Sequence, residues 1–309
     1  MAEIITNEYF ANHINLFKEK FSKIKIIALD LDGTLLNNYF DLEVGDEINQ
    51  MCKILHNKYK VNTLIATGRT LSGSMTVKNT LISKLNVPLI LYNGSVIIHN
   101  NTYNIMKQKF IDFDNVNKIL NILSEHKKVN IYSYYYVDNL LNTYEVVKGF
   151  TSSKTDLPEK DFNGQTIQWI DSTFEDAISE NNYAPSAILI DISKCLVDEQ
   201  IKIKELMATF PNITITASTS NYIEVRPKNS NKGIALKTLL EYYEIEKSEI
   251  LSIGDNDNDI EMLEYSGVGI TVSSASEKAK KSSDFITIGG AYHGVSDILK
   301  KVIEIKSRG

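Results

Sequence analysis

Basic residues are in the minority: across 309 residues, 33 Lys and Arg face 39 Asp and Glu, a formal net charge of -6. A chain that grips nucleic acid through its phosphates carries a basic surplus, so no nucleic-acid partner is expected. Cysteine is scarce. Cys52 and Cys195 stand far apart, in no metal-binding or redox spacing, which offers no disulfide framework and points to a reducing, cytoplasmic compartment. Long hydrophobic runs are missing too. The longest apolar region, NVPLILYNGSVII, is interrupted by Pro, Asn and Gly and is too short to span a bilayer, so no membrane partner is expected. The opening MAEIITNEYF has neither a basic stretch nor a long apolar one, unlike a signal peptide. The histidines His13, His56, His99, His126 and His293 show no zinc-ligand spacing. No P-loop and no Gly-x-Ser-x-Gly elbow occurs, and GVG at 267–269 lacks the third glycine of a dinucleotide fingerprint.

What is present is an alternation of strands and helices. Residues 1–22 read as an added helix, with Phe10, Ile14, Phe17 and Phe21 on one face. From residue 23, KIIALDLD, VNTLIATGR and PLILYNG read as strands separated by amphipathic helices, the βαβ pattern of a parallel sheet. Between 97 and 228 hairpins mix with helices, as in a mostly antiparallel α+β insert, and TSSKTDLPEKDFNGQT reads as a surface loop. From 229 the βα alternation resumes. The expected fold is α/β: a Rossmann-like parallel core over 23–96 and 229–309, interrupted by an inserted domain over 97–228.

Four core strands end in polar residues: Asp30 and Asp32, Thr67, Asn93, and Asp255. In an open parallel sheet, strand C-termini line the ligand crevice, so these residues point at one place. A turn at DGT accounts for Asp32 but not for Asp30, which interrupts the apolar run. An Asp-x-Asp pair suits a hard cation such as Mg2+, which takes one or two carboxylates together with substrate phosphate. In GDNDNDIEML, alternating acids suggest an EF-hand, but loop positions six and twelve from Asp255 are Ile260 and Ser266, not the required Gly and Glu. The segment fits a second metal-binding wall through Asp255 and Asp259, and helix N-capping accounts for Asp257. ATGR places Thr67 and Gly68 where a hydroxyl and turn N–H groups can hold phosphate. Lys232 opens a helix, where its charge opposes the helix dipole; a phosphate would suit it. The tyrosines Tyr132, Tyr134, Tyr135 and Tyr136 read as packing within the insert.

Together, LDLDGTLL, ATGR, NKG and GDNDNDIEML, in this order and with this spacing, resemble the four motifs of the haloacid dehalogenase-like (HAD) phosphohydrolases. LYNGS and the insertion point are similar to those of the Cof-type members, which carry a C2 (C2B) cap. The likeness covers roughly residues 23–309; the Gly-Asn-Ala segment of many Cof-type members is missing from GVGITVSSASEKAK. The resemblance implies that Asp30 attacks phosphorus to form an aspartyl-phosphate, while Asp32 protonates the leaving alcohol and then activates water. It implies Mg2+ held by Asp30, the Asp32 carbonyl and Asp255, with Asp259 orienting the shell. Thr67, Gly68 and Lys232 would bind phosphoryl oxygens, with Asn93 and Asn258 near the phosphate. A cap closing over the crevice would add contacts, with Glu224 and Arg226 as candidates. The implied substrate is a small phosphorylated metabolite such as a sugar phosphate, and the chain a monomer or homodimer. Two alternatives stand beside it: a phosphomutase resembling phosphomannomutase, and a catalytically idle phosphosugar sensor. A mutase cap uses several basic side chains on a second phosphate, and Arg226 is the single arginine of this insert.

Overall fold

A computed structural model describes residues 2–37, 44–81, 88–99, 104–126, 128–138, 143–151, 157–161, 165–170, 184–219 and 221–308. The turn expected at Asn100–Asn101 and half of the polar stretch 151–166 lie outside these residues. The chain divides into two compact units: 1–69, 74–102 and 231–309 form the first, 70–73 and 103–230 the second.

In chain order the elements are β1 (Glu3–Ile5), α1 (Asn7–Asn12), α2 (Ile14–Phe21), β2 (Ile26–Leu29), α3 (Asp46–Tyr59), β3 (Asn62–Ala66), α4 (Leu71–Leu81), β4 (Leu89–Leu91) and β5 (Val96–Ile98). With β6 (Ile105–Gln108) the chain passes to the second unit, through α5 (Phe113–Ser124), β7 (Asn130–Asp138), β8 (Thr143–Thr151), β9 (Ile167–Trp169), β10 (Ala187–Asp191), α6 (Val197–Ala208), β11 (Ile213–Thr219) and β12 (Tyr222–Pro227). It returns with α7 (Lys232–Tyr243), β13 (Ile250–Gly254), α8 (Ile260–Tyr265), β14 (Val268–Thr271), α9 (Glu277–Ser282), β15 (Phe285–Thr287) and α10 (Ala291–Ser307).

Within the first unit the sheet runs β1-β15-β14-β13-β2-β3-β4-β5. All pairs are parallel except β5, which folds back antiparallel on β4. The central β2, Ile-Ile-Ala-Leu, is buried along its whole length, as a strand covered on both faces must be. Because β2, β3, β4 and β13 run the same way, their C-terminal ends, with Asp30, Thr67, Asn93 and Asp255 just beyond, meet along one edge.

The N-terminal segment differs from the single helix expected over 1–22. It begins with a strand that extends the sheet, Glu3–Ile5 pairing in register with Phe285–Thr287, and its helical part breaks at His13 (φ -112°, ψ 29°), whose ring stacks on Tyr9 at 4.1 Å. A three-residue strand carries no readable period, so its pairing comes from the tertiary fold. Phe10, Phe17 and Phe21 are buried, and Phe17 packs on Phe285 with ring centroids 5.3 Å apart. Lys301 donates to Asn7 Oδ1 at 2.8 Å and stands over the Phe10 ring. Phe17→Ala should therefore cost about 3–5 kcal/mol of stability, measured by denaturant unfolding; a loss below about 1 kcal/mol would show that the segment packs only loosely on the core.

The second unit is an α+β layer pair. Its sheet runs β11-β12-β10-β7-β8-β9, antiparallel apart from β8 with β9. Ile131, Ile188, Ile190, Ile223 and Val225 of the sheet form one core with Val116, Ile119, Leu120 and Leu123 of α5 and Ile203 and Met207 of α6. The tyrosine cluster is buried, and Tyr134 donates its hydroxyl to Asp161 at 3.1 Å, which accords with packing. No helix among the described residues is long and apolar enough to cross a membrane.

Candidate active site

The two aspartates of LDLD sit in different surroundings. Asp30 ends β2 and is 4% exposed. Its Oδ1 accepts from Lys232 Nζ at 2.5 Å, and the same ammonium donates to Asp259 Oδ1 at 2.6 Å. Lys232 has no exposed surface. It stands at the first turn of α7, behind the N-cap Asn231, whose Oδ1 accepts from Ile234 N. The helix dipole disfavours a lysine there; the two carboxylates outweigh it. Asp32 lies outside this cluster. Its side chain is 32% exposed and is held by Arg69, whose own side chain is 2% exposed. Arg69 NH2 donates to Asp32 Oδ1 at 2.5 Å, and Nε reaches Oδ2 at 3.0 Å and Oδ1 at 3.2 Å.

Asp255 follows β13. Its Oδ1 accepts from Thr34 Oγ1 at 3.1 Å. Gly33, at φ +83°, lets the two segments approach this closely: a Cβ there would lie 2.3 Å from Asp255 Oδ2. Asp259 stiffens the same loop, its Oδ2 accepting from the backbone N–H of Asp255 at 3.0 Å and of Asn256 at 3.1 Å. Asp257 turns away to pair with Lys278 at 2.6 Å, as a helix-start acid outside the site would.

Burial pushes the Asp30 carboxyl well above the ordinary range, with the Asp259 charge adding to it and Lys232 opposing. Burial, and then the Asp259 charge, raise Asp255 to about 6, against the Thr34 hydrogen bond. For Lys232, burial alone would lower the ammonium, but the charges of Asp259 and Asp30 together raise it. Asp30, Asp255 and Asp259 each offer a carboxylate oxygen within 4.8 Å of the others. When all are ionised, three carboxylates against the one ammonium of Lys232 leave a charge of -2 in this cluster. A divalent cation cancels that charge, and an all-oxygen donor set suits Mg2+. The residues fit such an ion.

The next strand ends supply hydrogen-bonding groups. Thr67 is buried, and its Oγ1 accepts from Arg69 N at 3.0 Å, which leaves the hydroxyl proton to donate. Asn93 stands in a left-handed turn with Tyr92 at φ 49° and Gly94 at φ 96°. Non-glycine residues adopt that region uncommonly, asparagine more readily than most. Asn93 donates its N–H to Thr67 O at 2.9 Å and accepts Asn258 Nδ2 on Oδ1 at 2.9 Å. Gly68 permits this: a Cβ there would meet Asn93 Nδ2 at 2.8 Å. Asp30, Asp255, Asp259 and Lys232 thus form one cluster, and Thr67, Gly68, Asn93 and Asn258 form a second linked set on the same sheet edge. Reading the sequence as motifs missed Arg69. The signal was compositional: of 33 basic residues only Arg69, Arg226 and Arg308 are arginine, and a planar fork is what a carboxylate needs for two-point binding. In the second unit, Arg226 is buried and donates to Ser230 O at 3.0 Å and Thr216 Oγ1 at 2.6 Å, with Glu224 at 3.5 Å; it is no surface ion pair.

Residues 27–299 match the family of haloacid dehalogenase-like hydrolases. The 5-amino-6-(5-phospho-D-ribitylamino)uracil phosphatase YwtE of Bacillus subtilis (strain 168) is 29% identical over 299 residues, covering 91% of this chain and 98% of the relative. A solved haloacid dehalogenase-like hydrolase from Bacteroides thetaiotaomicron superposes with a TM-score of 0.72 at 21% identity, over 90% of this chain and 99% of that one. A sugar phosphatase of HAD subclass IIB gives a TM-score of 0.66 at 19% identity, over 91% and 99% of the two chains; identities this low speak to the fold. The family match spans both halves of the parallel sheet and every strand end described above, so the chain belongs to the haloacid dehalogenase-like hydrolases, as a Cof-type member and an enzyme of their phosphatase kind.

Proposed function

We propose that the protein hydrolyses phosphate monoesters of small metabolites through an aspartyl-phosphate on Asp30. The observation that carries this reading is the division between the two aspartates: Asp30 sits among Lys232, Asp255 and Asp259, whereas Asp32, two residues on, is partly exposed and separately held. Two carboxyl groups in contrasting surroundings are suited to two roles. An Asp30 oxygen bonds to phosphorus as the bond from phosphorus to the leaving oxygen breaks, and Asp32 passes its proton to that oxygen. Water then bonds to phosphorus, Asp32 takes a proton from it, and the bond from phosphorus to Asp30 breaks. Splitting the hydrolysis in this way replaces one hard step with two easier ones. Mg2+ bound by Asp30, Asp255 and the Asp32 carbonyl, with Asp259 behind them, would supply positive charge against the phosphoryl oxygens. Thr67, the Gly68 turn and Lys232 bind those oxygens, and Asn93 and Asn258 flank them.

The second unit, 70–73 and 103–230, serves as a C2-type cap. Its single arginine is engaged with Ser230, Thr216 and Glu224, which favours a hydrolase over a mutase needing a second phosphate site. The nucleophile, acid/base pair and acidic cluster favour an enzyme over a sensor. Sugar phosphates are the substrate class we favour. A phosphorylated ribitylaminouracil is the second reading, because the relatives YwtE and YcsE, at 29% and 28% identity, are named for it. The scarcity of cysteine favours a cytoplasmic setting.

Metal dependence tests the reading. Dialysis against EDTA should stop phosphate release, and Mg2+ should restore it. Titration calorimetry should show Mg2+ binding weaken as pH falls through about 6, where Asp255 takes up a proton. Turnover indifferent to both chelator and Mg2+ would remove the metal from the account.

A further inference from the structure

Arg69 is buried at the end of the β3 strand and fixed through its backbone on both sides. Its N–H donates to Thr67 Oγ1 at 3.0 Å, and its carbonyl accepts from Tyr92 N at 3.1 Å. Further along, the N–H groups of Leu71 and Ser72 donate to the two oxygens of Glu145 at 3.0 and 3.2 Å, and Ser72 Oγ adds a third bond at 2.9 Å. Glu145 lies in β8, so a carboxylate 73 and 74 residues away in sequence clamps the start of α4. That helix already has a local cap in Thr70, whose Oγ1 accepts from Gly73 N at 3.0 Å. The chain on either side of Arg69 is therefore held more firmly than a helix start requires.

The guanidinium imposes this rigidity on Asp32. A partly exposed aspartate on a turn samples several rotamers, whereas a two-point grip by a planar fork selects one. The fork also distinguishes the two oxygens. Oδ1 takes the short bond from NH2 and a share of Nε, while Oδ2 takes only the other share of Nε, at 3.0 Å.

The geometry assigns Arg69 as the positioning residue of the proton-transfer step, holding Asp32 so that Oδ2 is the oxygen that gives and takes the proton. The assignment rests on the reading of Asp32 as acid/base. In the first half-reaction the Oδ2 proton moves to the leaving oxygen as its bond to phosphorus breaks. In the second, Oδ2 accepts a proton from the water that bonds to phosphorus, and the bond from phosphorus to Asp30 breaks.

The test compares two substrates under kcat/KM, which ends with formation of the aspartyl-phosphate. A hexose phosphate releases an alkoxide that needs a proton; p-nitrophenyl phosphate releases a stable phenolate that does not. Arg69→Ala should lower kcat/KM on the hexose phosphate by about 100-fold, the cost of a misplaced catalytic group. On p-nitrophenyl phosphate the loss should stay within about 5-fold, because general-acid assistance is not needed there. Guanidinium ion at non-denaturing concentration should restore part of the hexose phosphate activity. Arg69→Lys, which keeps the charge without the fork, should show the same selectivity to a smaller degree, and it carries the test if the alanine variant does not fold. Asp32→Asn is run alongside. If Asp32→Asn shows no selectivity between the two substrates, the acid/base reading of Asp32 fails. If Asp32→Asn is selective but the Arg69 variants lose both activities equally, or guanidinium rescues nothing, the assignment of Arg69 is overturned.

Discussion

Asp30→Asn should abolish phosphate release and leave the fold standing. Asparagine has almost the same shape, so the buried pocket at the end of β2 keeps its packing, and the amide oxygen still accepts from Lys232. Neutralising one of three crowded carboxylates removes repulsion: with Lys232 still paired to Asp259 at 2.6 Å, the charge of the cluster falls from -2 to -1. Stability should hold or rise by about 1 kcal/mol, since buried charges cost desolvation. Activity should fall by about 10,000-fold or more, as when the nucleophile is removed from a covalent mechanism. The measurements are steady-state phosphate release and a thermal melt on the same preparation. Near-normal turnover in a folded variant would remove Asp30 as nucleophile and with it the covalent intermediate.

Lys232→Ala should destabilise the fold strongly. The ammonium has no exposed surface and lies 2.5 Å from Asp30 and 2.6 Å from Asp259. Its loss leaves two adjacent buried carboxylates with no counter-charge. Breaking a buried pair from one side costs about 3–5 kcal/mol, or roughly 10 °C in melting temperature for a chain of this size. The effect depends on pH. Burial holds the Asp30 carboxyl above its unfolded value, so its ionisation destabilises the folded state as pH rises, and protonation relieves the strain as pH falls. In chelator, the gap between variant and wild type should be wide at pH 8 and narrower at pH 5.5. An equal melting temperature at pH 8 would show that Lys232 does not neutralise the cluster.

Much of this arrangement is visible in the sequence, for one reason: a parallel sheet gathers its strand ends on one side. Asp30, Asp32, Thr67, Asn93 and Asp255 each interrupt or close an apolar run, and that is enough to place them on the same edge. The insert's α+β character follows likewise from its hairpins. What stays hidden depends on contacts distant in sequence. Glu3–Ile5 is too short to show a strand period and is strand only because Phe285–Thr287 offers an edge; it also precedes the residues that match the family, 27–299. The partners of Lys232 are hidden too: the sequence shows a lysine at a poor helix position, but not the carboxylates that hold it there. Arg69 is the clearest case. ATGR shows that a strand ends in an arginine, but not that the arginine reaches back 37 residues to Asp32.

Phosphate release by the wild-type protein with Mg2+ is the decisive assay, run over a panel of hexose and pentose phosphates, phosphorylated ribitylaminouracil, nucleotides and p-nitrophenyl phosphate. Release is expected from p-nitrophenyl phosphate and from at least one phosphorylated sugar or polyol, and should be lost in EDTA. A folded, Mg2+-binding protein that frees no phosphate from any of these compounds would contradict the proposed function.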